Sequence, residues 1–125
     1  EVAGVFQPGD HGSTYSGTAI ATAAVRAVIS EMRSMDAPAV ATSKGARLRA
    51  GLEAIPAVKE VRGLGLLLAA EQGEGADAKA VYTQLLELGL VTNAVSPTAL
   101  RLAPPLTVSD AEMDEALALI RQVLS

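Results

Sequence analysis

Cysteine is absent, tryptophan is absent, and the only aromatic residues are Phe6, Tyr15 and Tyr82. Without cysteine there is no disulfide and no thiolate metal site. His11 is the single histidine, and with nothing to pair with it is a poor metal ligand. The scarcity of aromatics means that the core must be built from Leu, Val, Ile and many alanines. Such a core suits closely packed helices, has few large anchors, and predicts modest stability for the domain by itself. Long apolar runs are missing too. The longest, residues 64–70, falls far short of the roughly 20 residues that cross a bilayer.

There is also no basic excess. Ten basic residues against fourteen acidic ones give a net charge of −4, which argues against nucleic acid, whose binding needs a basic patch to displace counterions. An anionic membrane surface is disfavoured for the same reason. The N-terminus has no secretory pattern, so the expected location is the cytoplasm. The chain opens Glu1-Val2-Ala3 with no initiator methionine, as a fragment or a processed product would. Its 125 residues are the usual size of one domain, enough to bury roughly two thirds of the unfolded surface.

What is present is ordered along the chain. Residues 1–18 are rich in Gly, Ser, Thr and Pro and read as loop. From Ala19 to about Met35 two apolar stripes share one helix: Ile20, Ala24, Ala27 and Val28, and then Val25, Ile29 and Met32. That arc is wide enough to predict packing on two sides. Asp36 is placed to cap the next helix, with Pro38 in its first turn. Its stripe is Ala41, Gly45, Leu48, Leu52 and Ile55, and Pro56 ends it. Val58 to Glu71 reads as extended, with Gly63 and Gly65 marking a bulge or bend. A third helix from about Ala76 should turn Val81, Tyr82, Leu85 and Leu86 inward and stop at Gly89. Two short strands follow, Leu90 to Asn93 and Ala99 to Ala103. Ser109-Asp110-Ala111-Glu112 is a capping box, and Met113, Leu117, Ile120 and Leu124 form the apolar face of the helix it starts. The order predicts an α+β fold, a small, mainly antiparallel sheet covered by helices.

Two places have the residue types for binding. The segment His11-Gly12-Ser13-Thr14-Tyr15-Ser16-Gly17-Thr18 offers hydroxyls, glycine-exposed amides and a helix N-terminus, which together suit a phosphate. It lacks the Gly-Lys-Ser/Thr ending of a nucleotide-binding loop. From the residues alone, a simple Ser/Thr helix cap is the commoner role. Arg101 lies between Leu100 and Leu102, so burying both leucines drives it to the opposite face of a strand. There its guanidinium can take a carboxylate through two parallel hydrogen bonds; an ordinary solvated arginine is the plainer alternative. Pro104-Pro105 fixes the chain's exit. Arg62-Gly63-Leu64-Gly65 has neither the third glycine nor the following helix of a dinucleotide fingerprint. Lys44, Lys59 and Lys79 read as solvated side chains.

Taken together, these segments resemble the end of the class III (ornithine-type) pyridoxal-phosphate-dependent aminotransferases. His11-Gly12-Ser13-Thr14-Tyr15 is similar to the family's His-Gly-Ser/Thr-Thr-Phe/Tyr segment, and Val61-Arg62-Gly63-Leu64-Gly65-Leu66 to its Val-Arg-Gly-x-Gly-Leu strand. Leu88 to Asn93 and Leu100 to Leu106 follow in the family's order. The nearest likeness within the family, through Val91-Thr92-Asn93 and residues 100–109, is to members whose amino donor is N-acetylornithine. The resemblance implies a homodimer of fold-type I, of which residues 1–35 would be the tail of the large cofactor domain (phosphate loop and connecting helix). Residues 36–125 would be the C-terminal small domain. It further implies that Thr14, with Ser13 beside it, holds the phosphate of the neighbouring subunit's pyridoxal phosphate. Arg101 would bind the α-carboxylate of the amino acid or of 2-oxoglutarate. The implied reaction is ping-pong transfer of the δ-amino group of N-acetylornithine to 2-oxoglutarate. Ornithine, succinylornithine and 4-aminobutyrate are alternative donors, and a non-catalytic binding module is the alternative from another class. The family's Gly-Gly-Asn-Pro after the aromatic residue is here Ser16-Gly17-Thr18-Ala19. The family's Schiff-base lysine lies upstream of Glu1, so no catalytic residue is assigned and the chain by itself is expected to be inactive and to self-associate through its first helix.

Overall fold

A computed structural model of the chain describes residues 2–7, 9, 10 and 12–125. They divide into two compact units, 1–35 and 36–125. The first unit holds a 3-10 turn, Val2–Val5, and helix α1, Ala19–Ser34. Thr18 starts α1: its side chain accepts the Ala21 N–H at 3.3 Å, and its extended backbone is what an N-cap requires. The expectation that α1 packs on two sides is not met within the first unit. No residue of α1 is buried, and Ile20 is 85% exposed.

The second unit is a two-layer arrangement. Helix α2 is Ala37–Glu53, strand β1 Val58–Leu64, strand β2 Leu67–Gln72 and helix α3 Ala78–Glu87. Strands β3, Asn93–Ala94, and β4, Ala99–Leu102, precede helix α4, Asp110–Val123. The sheet is antiparallel throughout, in the order β1-β2-β4-β3. Val61, Leu68, Ala70, Leu100 and Leu102 are buried against Leu48, Leu52, Leu85, Met113, Leu117 and Ile120 of the three helices. Alternation along each strand therefore turns Arg62, Ala69 and Arg101 to the other face.

Three local expectations are corrected. The extended stretch 58–71 is a tight hairpin: Leu64 pairs with Leu67, and Gly65 and Leu66 form the loop. Gly65 has φ 54°, as a two-residue hairpin with glycine at its first central position requires. Asp36 does precede α2, but in the left-handed region with φ 50° and without a side-chain cap bond; in that conformation its carboxylate does not reach the first amides. Leu86 is 44% exposed, because Leu85 takes the single position of that turn facing the core. The capping box of α4 is present as read: Ser109 Oγ accepts the Glu112 N–H at 3.2 Å and Glu112 accepts the Ser109 N–H at 2.7 Å. The Ser109 N–H bond first, and the Ser109 hydroxyl donating to the same carboxylate oxygen at 2.7 Å second, hold the Glu112 carboxyl below the usual carboxylate range.

Candidate functional site

The open face of the sheet has one register row that crosses all four strands. Arg62 of β1 lies opposite Ala69 of β2, Ala69 opposite Arg101 of β4, and Arg101 opposite Asn93 of β3. Arg62, Gly63, Leu64, Leu67, Ala69 and Arg101 line a shallow groove of about 290 Å³ there. Ala69 is its low floor, and Leu64, 88% exposed, stands at one end. Arg101 is exposed while Leu100 and Leu102 are buried, which is the alternation expected of the sequence. Among the described residues Arg101 has no hydrogen-bond or ion-pair partner. Arg62 differs: its guanidinium donates to Glu71 at 2.6 Å, and Glu71 also accepts from the Thr98 hydroxyl. The Thr98 bond first, and Arg62 second, hold the Glu71 carboxyl below its ordinary range. The groove thus presents one available guanidinium, which can take a planar anion through two parallel bonds.

The second candidate lies in the first unit. Ser13, Tyr15, Ser16, Thr22 and Arg26 border a concavity of about 560 Å³ at the start of α1. Ser13 Oγ accepts the Ser16 N–H at 3.2 Å, which leaves its own proton free to donate. The Thr22 hydroxyl is engaged with the backbone of α1, donating to Thr18 at 3.0 Å. Thr14 is exposed and does not line the concavity; His11 lies outside the described residues. Arg26 was missed by the sequence reading. Its spacing eight residues after Thr18 is the one signal that would have put it within reach of the loop, two turns along the same helix.

A third, more enclosed cavity of about 270 Å³ lies under the segment 102–105, between Leu48, Leu90, Pro104 and Met113. Its one charged lining residue is Glu112, so it does not suit an anion. Lys44 is not a simple solvated side chain. Its ammonium donates to the backbone carbonyls of Leu106, at 3.1 Å, and Val108, tying α2 to the loop that leaves β4. Lys59 donates to the Pro56 carbonyl, and Lys79 is exposed on α3.

A class III aminotransferase family model matches residues 1–124. The chain belongs to that family. Among curated members it is 42% identical to the acetylornithine aminotransferase of Caldanaerobacter subterraneus over 125 residues, 97% of this chain and 32% of that protein. It is 40% identical to ornithine aminotransferase 2 of Staphylococcus saprophyticus, covering 98% of this chain and 31% of that one. A crystal structure of the Toxoplasma gondii ornithine aminotransferase, which holds pyridoxal phosphate at partial occupancy in its active site, matches with a TM-score of 0.79. That match has 30% identity and covers 98% of this chain and 30% of that chain. The chain therefore spans about a third of the length of the class III aminotransferases it resembles. Against pyridoxal phosphate, the donor set near Ser13 and Arg26 fits the phosphate end. Residues 1–35 contain no lysine, so the donors of this concavity suit the cofactor's handle and not its reacting carbon.

Proposed function

We propose that this chain is the C-terminal part of a pyridoxal-phosphate-dependent transaminase that moves the δ-amino group of N-acetylornithine to 2-oxoglutarate. In this reading Arg101 takes the α-carboxylate of the amino acid or of 2-oxoglutarate, and Ser13 and Thr14 hold the cofactor phosphate across a homodimer interface. Residues 1–35 are the tail of a large cofactor domain and 36–125 the small domain; the division of the chain between Met35 and Asp36 supports that boundary. The observation that carries the reading is Arg101, an exposed guanidinium without a partner among the described residues, lining an open groove with apolar Leu64 and Leu67. Bound cofactor supplies the electron sink for the chemistry. Arg101 orients the substrate by a charge-assisted, two-point contact, and the aliphatic wall of the groove accepts the chain between carboxylate and amine.

Likeness to ornithine aminotransferases at nearly the same identity supports ornithine as the competing donor. The test is glutamate formation by the full-length protein with N-acetylornithine, ornithine, succinylornithine and 4-aminobutyrate, each with 2-oxoglutarate. The highest kcat/KM is expected with N-acetylornithine, and a clear preference for another donor refutes the donor assignment. Arg101→Gln should raise KM for both carboxylic substrates; an unchanged KM refutes the assignment of Arg101. The 125-residue chain should show no turnover, and saturable glutamate formation by it alone would overturn that expectation.

A further inference from the structure

The cavity under residues 102–105 takes no part in the function proposed above. Leu102 lines it from the buried face of β4, the face opposite Arg101. Its walls are aliphatic: Leu48, Leu90, Leu102, Val108 and Met113. An apolar cavity of about 150 Å³ takes a benzene ring. At about 270 Å³ this one has room for about ten non-hydrogen atoms in the same proportion. One polar group interrupts the apolar lining. Thr92 lines the cavity, and its hydroxyl is buried with no hydrogen-bond partner among the described residues. An unpaired buried hydroxyl costs free energy, and a hydroxyl brought by a ligand would recover it, since Thr92 can both donate and accept. Glu112 is the one charged residue of the lining, and its charge is already answered. One of its oxygens accepts both Ser109 bonds, and the Lys44 ammonium also acts on the carboxylate. A cationic ligand therefore gains little there, and an anion is repelled.

We propose that this cavity is a binding site for a small uncharged alcohol, its ring or short hydrocarbon body against Leu48, Leu90 and Met113 and its hydroxyl on Thr92 Oγ1. The site is independent of the transaminase reading, because none of its lining residues belongs to the Arg101 groove or to the concavity at the start of α1. Its occupant touches α2, α4 and the segment that leaves β4. Those are the parts that the Lys44 ammonium already joins through the Leu106 and Val108 carbonyls. A bound alcohol adds a second tie between them, and a ligand that binds only the folded chain raises its melting temperature. For a ligand of about ten atoms, a dissociation constant on the order of 1 mM is expected.

The test titrates the full chain with 2-phenylethanol, and with 2-phenylethylammonium as a cation of the same shape. Methyl NMR resonances of Leu90, Val108 and Met113 report binding. They should shift saturably with the alcohol, and the ammonium should bind more weakly. Thr92→Val keeps the shape of the side chain and removes the hydroxyl. It should weaken the alcohol by about three- to tenfold, the worth of one hydrogen bond, and leave the ammonium where it was. The variant should melt no lower than the parent, since the hydroxyl it removes has no partner. A lower melting temperature would show that a fixed water already satisfies Thr92, against the proposal. Ala116→Leu, on α4 in the same lining, fills the cavity and should abolish the shifts; it is the independent check should Thr92→Val fail to fold. No saturable shift at these methyls, up to about ten times the expected dissociation constant, overturns the site. Equal affinity of the alcohol for Thr92→Val and the parent, or unchanged binding in Ala116→Leu, does so too. Tighter binding of the ammonium would mean that Glu112 reads charge, and the assignment to an uncharged alcohol falls.

Discussion

Replacing Gly45 with alanine sets two opposed effects against each other. Gly45 lies in the middle of α2, where alanine is normally worth about 1 kcal/mol over glycine through helix propensity. A Cβ at this position, however, would stand 2.2 Å from the Gly65 carbonyl oxygen and 2.4 Å from its carbon, more than an ångström inside ordinary contact. Both atoms are backbone, in the tight loop of the β1–β2 hairpin, so no rotamer change relieves the clash and the helix or the hairpin must move. Overpacking of this kind costs about 1–3 kcal/mol, and a backbone neighbour places it at the upper end. The net expectation is destabilisation by about 2 kcal/mol, a fall in Tm of about 8–16 °C for a unit of this size. Gly51→Ala is the control on the same helix. Its Cβ would meet Leu117 Cδ1 at 2.3 Å, the far end of a side chain that can turn away, so propensity and repacking should cancel to within about 1 kcal/mol. Thermal melting followed by circular dichroism, with urea midpoints as a second measure, separates the two. If Gly45→Ala melts at or above the parent, or if Gly51→Ala falls as far, the close approach of α2 to the hairpin does not govern the fold as argued.

Lys44→Met should cost about 1–3 kcal/mol by leaving the Leu106 and Val108 carbonyls without their donor, read as a lowered urea midpoint with an unchanged slope; no change would mean water replaces the ammonium freely. Glu71 and Glu112 both have carboxyl groups held below the ordinary range, so each contributes stability that is present above the unfolded value, about 4.3, and is lost as the pH falls through the lower folded value. Melting temperature should therefore drop on acidification below about pH 4.3, and the drop should be shallower in Glu112→Gln; identical acid profiles would refute that. The exposed stripe of Val25, Val28, Ile29 and Met32 on α1 should drive self-association of the chain, visible by sedimentation as a mass that falls on dilution, and a monomer at every concentration would count against it.

The helices were legible in the sequence because their signals are local. Thr18 and Ser109 cap their own helices, Gly89 ends α3 with φ 90°, and the stripe of Gly45, Leu48 and Leu52 is buried as its spacing required. Arg101 was legible for the same reason, since alternation between two buried leucines needs no knowledge of neighbouring strands. The family's motifs, in order along residues 11–106, were equally a property of the chain alone. Groups joined across long separations were not legible. That Arg62 shares a groove with Arg101 follows only from the pairing of β1 with β2 and of β2 with β4, and that Glu71 occupies Arg62 follows from the same ladder. Lys44 read as solvated because its partners are carbonyls 62 and 64 residues away, and a carbonyl carries no residue-type signal. The two apolar stripes of α1 show the converse: sequence fixes which face of a helix wants cover, and tertiary structure decides whether anything covers it. Periodicity is written residue by residue, whereas strand order and register are set by which apolar faces close together, and it is the register that left one arginine of the groove without a partner and put its neighbour in a salt bridge.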